Sequence, residues 1–266
     1  MVRAVFRFPG GKFFLIKKLL PLIPPHEVYV EVFGGAANLL FNKPPSKVEV
    51  YNDINSELVN FFRVLRDDVK WKILQEKLLL TPYSREEFEL ACREESGLDD
   101  IERARRFYVR IQQSFSGKGE TFGYGLSTSK ASTYFHKLYG FAEFHARIKN
   151  MIIENDDFEK IIKRYDSLVT FFFLDPPYLG NLVKGEFLNM SEDDHRRLVE
   201  VLLQIEGKAL LCGYRNEIYE KLEKAGWFVK RFRLPTFMPR PDQTSGKRRY
   251  RFEYVWMNYK PPRKRL

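Results

Sequence analysis

Between residues 28 and 53 the chain runs through a pattern that few folds accommodate. Val28-Tyr29-Val30-Glu31-Val32-Phe33 is β-branched and aromatic, and Gly34-Gly35 closes it, so a strand is predicted to end in a tight turn. Ala36 to Asn42 reads as the start of a helix packed on that strand, and Lys47 to Asp53 as a second strand ending in an acid. Strand, glycine turn, helix, strand, acid is the opening half of a doubly wound nucleotide-binding sheet. Asp53 stands where such folds hold ribose hydroxyls, and it also fits as the cap of a helix from Ile54 to Leu65.

The rest of the chain extends this reading. Phe13 to Leu22 predicts a helix stopped by Pro24-Pro25. From Leu58 to Arg110 apolar residues recur three and four apart, the period of helices. Ser114 to His136 changes character: it carries Gly117, Gly119, Gly123 and Gly125, many Ser and Thr and almost no aliphatic residue, and is expected to be a surface hairpin or loop. From Phe141 onward strands alternate with helices, which predicts a mostly parallel sheet. The expected fold is therefore α/β, a doubly wound sheet built from residues 1–58 and 141–266, interrupted by a mainly helical insert over 59–140 with a polar hairpin loop at 114–136.

Composition excludes several classes. Hydrophobic residues at 44% and charged residues at 30% suit a globular chain rather than a disordered one. No apolar run approaches the ~20 residues of a membrane helix, and MVRAVFRFPGGK lacks the apolar centre of a signal peptide. Cys92 and Cys212 have no metal-ligand spacing, and His26, His136, His145 and His195 form no metal pair. Ser114 and Ser116 lack the strand-to-helix setting of a nucleophile elbow. The expectation is a cytoplasmic monomer with reduced thiols and no metal. The net charge of +10 points to a polyanion, nucleic acid first, with a merely solvated basic surface as the alternative.

Three motifs carry chemistry. Asp175-Pro176-Pro177-Tyr178 follows the most apolar run of the chain, Leu168 to Leu174. A carboxylate at the end of such a strand sits where open α/β sheets place their sites. The two prolines stiffen the backbone and remove two N–H donors, leaving acceptors for an amine beside a flat aromatic face. The glycine turn at 34–35 lets a ligand approach the backbone closely, and Arg7-Phe8-Pro9-Gly10-Gly11-Lys12 places two glycines and a cation before a helix.

RFPGGK, YVEVFGGAANLLF with YNDIN, and FFFLDPPY, in this order, resemble the Dam-like class of DNA adenine-N6 methyltransferases, and the resemblance covers nearly the whole chain. It implies S-adenosylmethionine as cofactor and double-stranded DNA as partner. It implies that Asp175, Pro176, Pro177 and Tyr178 receive an extruded adenine. It assigns the cofactor to Phe8, Pro9, Gly10, Gly11 and Lys12, to Glu31, Phe33, Gly34, Gly35 and Asp53, and to Asp157 and Phe158. DNA contacts fall to Ser116, Lys118, Tyr124, Ser127 and Lys130 in the insert and to Lys247 and Arg248 in the late basic cluster. Two departures stand out: Ala36-Ala37 replaces the third small residue of the glycine turn, and Phe8 replaces a tryptophan frequent in the class. Cytosine N4, RNA or a protein amide as acceptor, and an inactive DNA-binding relative, are the alternative readings. The resemblance admits a restriction-modification, a phage or a housekeeping setting.

Overall fold

The computed structural model describes residues 4–6, 8, 12, 15–125, 129–179, 189–235 and 250–262. Among them seven strands form one sheet: β1 (Val28–Glu31), β2 (Val48–Asn52), β3 (Ile152–Glu154), β4 (Thr170–Leu174), β5 (Lys208–Gly213), β6 (Phe228–Pro235) and β7 (Tyr250–Met257). Their order is β3-β2-β1-β4-β5-β7-β6. The first five strands pair in parallel, and β7 runs antiparallel to both β5 and β6. The chain moves from β1 outward to β2 and β3, then returns to β4 on the other side. The carboxyl ends of β1 and β4 thus flank the crevice at which doubly wound sheets bind ligands.

Both faces of the sheet are covered, and β4 shows why its residues must be apolar throughout. Phe171 and Phe173 pack into one layer, while Phe172 and Leu174 pack into the other. The first layer is made by α1 (Ile16–Leu19), α2 (Asn38–Asn42), α3 (Ser56–Arg66), α4 (Lys70–Leu80), α5 (Arg85–Cys92), α6 (Asp100–Gln112), α7 (Lys130–Leu138) and α8 (Phe141–Ile148). These helices share one continuous apolar core with that face of the sheet. The second layer is made by α9 (Phe158–Tyr165), α10 (Glu192–Leu202) and α11 (Glu220–Lys224). No helix among the described residues is long and apolar enough to cross a membrane.

Several local expectations need correction. The polar stretch 114–136 is not loop throughout. Its first part turns back on itself through a bridge between Ser114 and Phe122, but α7 occupies Lys130–Leu138. Ser129 caps that helix by accepting from Ser132 N–H at 3.0 Å, and Tyr134 and Leu138, four apart, are buried. Its glycines are also partly internal: a Cβ on Gly123 would fall 2.8 Å from the Ser114 backbone, so that residue serves the turn's own packing. The helix expected over 13–22 shortens to one turn, α1, and Leu20–Leu22 tightens into a 3-10 turn with Pro21 near its start. The helix after the glycine turn begins at Asn38 rather than 36, because Ala37 holds φ 51°, left-handed backbone that ends rather than continues a helix.

Candidate active site

The turn after β1 is shaped by contacts that tolerate little else. Gly34 donates its N–H to Asn52 O at 2.7 Å, and a Cβ at Gly34 would fall 2.2 Å from the Tyr51 ring. Gly35 holds φ +49°. Asp53, just past β2, accepts from Gly35 N–H at 2.8 Å and from Asn55 N–H at 2.9 Å, so it ties the two strand ends together. It does not cap α3. Asn55 does, accepting from Glu57 and Leu58 N–H. Burial raises the Asp53 carboxyl above its ordinary pKa, against the pull of these backbone donors.

Glu31 ends β1 at 2% exposure. Its Oε2 accepts from the Tyr29 hydroxyl at 2.7 Å and from Leu40 N–H at 3.0 Å. Burial nevertheless dominates and lifts its pKa to about 8.

Across the switch point, Asp175 follows β4. Its Oδ1 lies 2.8 Å from the Lys12 ammonium, and both side chains are largely buried. The same ammonium is 3.6 Å from Glu253 Oε2 and 4.5 Å from the centre of the Tyr178 ring. The Tyr178 hydroxyl donates to Glu253 Oε2 at 3.2 Å, and its ring meets Tyr214 edge to face. Burial raises the Asp175 pKa, opposed chiefly by Lys12. Burial works to lower the Lys12 pKa, but Asp175 and Glu253 outweigh it and hold the ammonium above its ordinary value.

These groups line one cleft of about 560 Å³. It gathers the expected residues from distant parts of the chain: Phe8 and Lys12, then Glu31, Phe33, Gly34, Gly35 and Asp53, then Asp157 and Phe158, then Asp175 through Tyr178. Phe158 packs 5.7 Å from Phe33 and lies under the Arg197 guanidinium. Asp157 caps α9 and pairs with Arg197 at 2.9 Å. Ser116 and Lys118 reach the same cleft, whereas Tyr124 and Lys130 line a separate cavity of about 120 Å³ that Ser116 also borders. Pro9, Gly10, Gly11, Ser127, Lys247 and Arg248 lie outside the described residues.

Sequence reasoning missed three polar groups here. Asn52 donates to Val32 O and Asp156 O and accepts from Asp156 N–H, bracing the cleft floor. Asn38 Oδ1 is buried in the lining and has no hydrogen-bond partner among the described residues. Glu253 is 2% exposed on β7. Its signal was present: it is the one acid in YRFEYVWM, on the same side of the strand as the core residues Val255 and Met257. Among the described residues no three His, Cys, Asp or Glu side chains gather as a metal site.

A family model described as D12 class N6 adenine-specific DNA methyltransferase matches residues 8–231. The chain belongs to this family. The match takes in both sides of the cleft, from Phe8 through β1, β2 and β4 into β6. The D12-class chain is similar to the type II methyltransferase M1.LlaDCHI of Lactococcus lactis subsp. cremoris, 26% identical over 244 residues, 81% of either protein. It is 27% identical over 216 residues to the DNA N-6-adenine-methyltransferase of Escherichia phage P1, covering 75% of this chain and 28% of that one. The type II methyltransferase M.MjaIII of Methanocaldococcus jannaschii is 23% identical over 265 residues, covering 86% and 90%. The enzyme described here is thus an adenine-specific DNA methyltransferase with its cleft at the β1/β4 switch point.

Proposed function

We propose that this D12-class enzyme takes its methyl group from S-adenosylmethionine and places it on N6 of an adenine flipped out of duplex DNA. The observation that carries the reading is the convergence, in one cleft, of the Asp175-Pro176-Pro177-Tyr178 corner with the Gly34-Gly35 turn and Asp53. The lining fits such a cofactor: Asp53 offers acceptor oxygens at the strand end, Glu31 lines the same wall, and Asn38 Oδ1 is a buried acceptor without a partner among the described residues. Phe33 and Phe158 offer an aromatic wall for a purine, and Asp53 offers acceptor lone pairs for ribose hydroxyls.

The cofactor, when bound, supplies an electrophilic methyl group on a positively charged sulfur. Adenine N6 is a weak nucleophile because its lone pair is delocalised into the ring. Asp175 accepts from one N6–H and the Pro176 carbonyl from the other, which favours a localised lone pair. Methylation would leave N6 with one proton to lose, and Asp175 would be placed to take it up. Its burial, which raises its proton affinity, suits that role. Tyr178 stacks on the extruded ring and recovers ~1–3 kcal/mol of the unstacking cost. Residues 1–58 and 141–266 would act as the catalytic part and 59–140 as the part that reads the target, with Ser116 and Lys118 at the cleft mouth.

The test is to methylate a random-sequence duplex pool with labelled S-adenosylmethionine and map the product. Label on N6 of adenine in a defined sequence context is expected. Label on cytosine, or none, defeats the reading.

A further inference from the structure

Glu253 occupies a position that the strand pattern reserves for an apolar residue. Burying a carboxylate there is unfavourable unless cations and donors compensate it. Three groups do. The Tyr178 hydroxyl reaches Oε2 at 3.2 Å, Arg251 reaches Oε1 at 3.2 Å, and the Lys12 ammonium stands 3.6 Å from Oε2. Lys12 is therefore shared by two carboxylates, near Asp175 at 2.8 Å and slightly farther from Glu253.

That sharing bears on how Asp175 becomes available. In the structure the Asp175 Oδ1 atom faces a cation, while the proposed reaction needs the same carboxylate to face the target amine. An ammonium displaced into a buried cleft without a partner would be strongly unfavourable. Glu253 removes that obstacle, because a small movement of the flexible lysine side chain exchanges one carboxylate for the other.

We propose that Glu253 is a positioning residue that takes over the Lys12 ammonium from Asp175 when the target amine enters, and holds Tyr178 in place meanwhile. The inference rests on the role of Asp175 given above. In this role Glu253 acts through Lys12 and Tyr178 rather than on the target base or the methyl donor.

In the full-length protein, Glu253→Gln keeps the shape but removes the charge. Turnover at saturating duplex is expected to fall about tenfold or more, with the dissociation constant for S-adenosylmethionine changed less than about twofold. Glu253→Asp should recover part of the loss. Because glutamine can still accept from the Tyr178 hydroxyl, what Glu253→Gln removes runs through Lys12, so the double variant Lys12→Ala/Glu253→Gln should turn over no more slowly than Lys12→Ala alone. A Glu253→Gln turnover within about twofold of the parent overturns the proposal, as do losses that multiply in the double variant. A crystal structure of the unmutated protein with S-adenosylhomocysteine and duplex carrying the mapped site tests it without any variant. Lys12 Nζ should lie closer to Glu253 than to Asp175, and an ammonium still seated on Asp175 overturns the proposal. Asp175→Asn in the same turnover assay separates the two ideas. If it is inactive while Glu253→Gln is normal, only the Glu253 proposal falls; if it is active, the reading of Asp175 falls and the proposal with it.

Discussion

Both oxygens of Asp53 accept backbone N–H groups, one from Gly35 and one from Asn55, before any ligand arrives. Asp53→Ala should therefore act twice. Cofactor binding should weaken roughly ten- to hundredfold by titration calorimetry, the worth of a hydrogen bond to a charged group. Melting temperature should also fall, since two donors lose their acceptor. Asp175→Asn should lower turnover by about a hundredfold or more while duplex binding in a mobility-shift assay stays near that of the parent. Retention of more than a tenth of the activity would remove Asp175 from the chemistry. Glu31 carries a pH signature. Its pKa rises from the ordinary 4.5 to about 8 on folding. Between those values the folded chain holds a proton that the unfolded chain has released, so this group's contribution to stability is full below pH 4.5 and is lost as pH rises toward 8. Denaturant titrations of Glu31→Gln should show a flatter decline over that window than the parent; equal slopes would refute the assignment. Asp53 and Asp175 were readable in the sequence because each follows a strand-like run, whereas Glu31 lies inside its run and was assigned only through the family resemblance. Asn38 was not, because its importance lies in a missing partner; Glu253 shows as the lone acid of its strand, but no local pattern names its partners Lys12 and Tyr178, which are far away in the chain.

At the scale of elements, strands were more legible than the insert's short helices. β4 declares itself through five consecutive buried residues, whereas α7 hides its apolar face among Lys, Ser, Thr and His. The turn before it is more firmly held than its composition implies. Ser114 Oγ accepts from Gly119 N–H at 2.8 Å, Arg110 Nε donates to Gly119 O at 3.0 Å, and the Tyr83 hydroxyl donates to Gly123 O. That internal bonding leaves Ser116, Lys118 and Tyr124 displayed outward on a fixed frame. Replacing 118–124 with a Gly-Ser linker should then lower site discrimination on the random pool while leaving the cofactor titration within about twofold of the parent. Unchanged sites and unchanged salt dependence would move target reading to another element.

Over the whole molecule, the +10 balance should make duplex affinity strongly salt-dependent. Contact with about five phosphates would weaken binding by two to three orders of magnitude between 50 and 200 mM salt. A flat salt response in fluorescence anisotropy would show that the charge is not used on the backbone of DNA. The doubly wound order of β1 to β5 followed from alternation and the glycine turn, but the place of the last strand did not, because no local pattern specifies which neighbour a strand will choose. That place has a consequence for how the molecule is assembled. β7 lies between β5 and β6, so β6 follows β5 in the chain yet does not pair with it. During synthesis β6 is complete before the strand that separates it from β5 has been made, so its observed place in the sheet depends on β7. The same late strand delivers Glu253 and Arg251 to the cleft. A nascent chain that ends after β5 has already made its glycine turn, Asp53 and Asp175 but lacks the strand against which Lys12 and Tyr178 rest, so the same last strand completes both the sheet and the cleft.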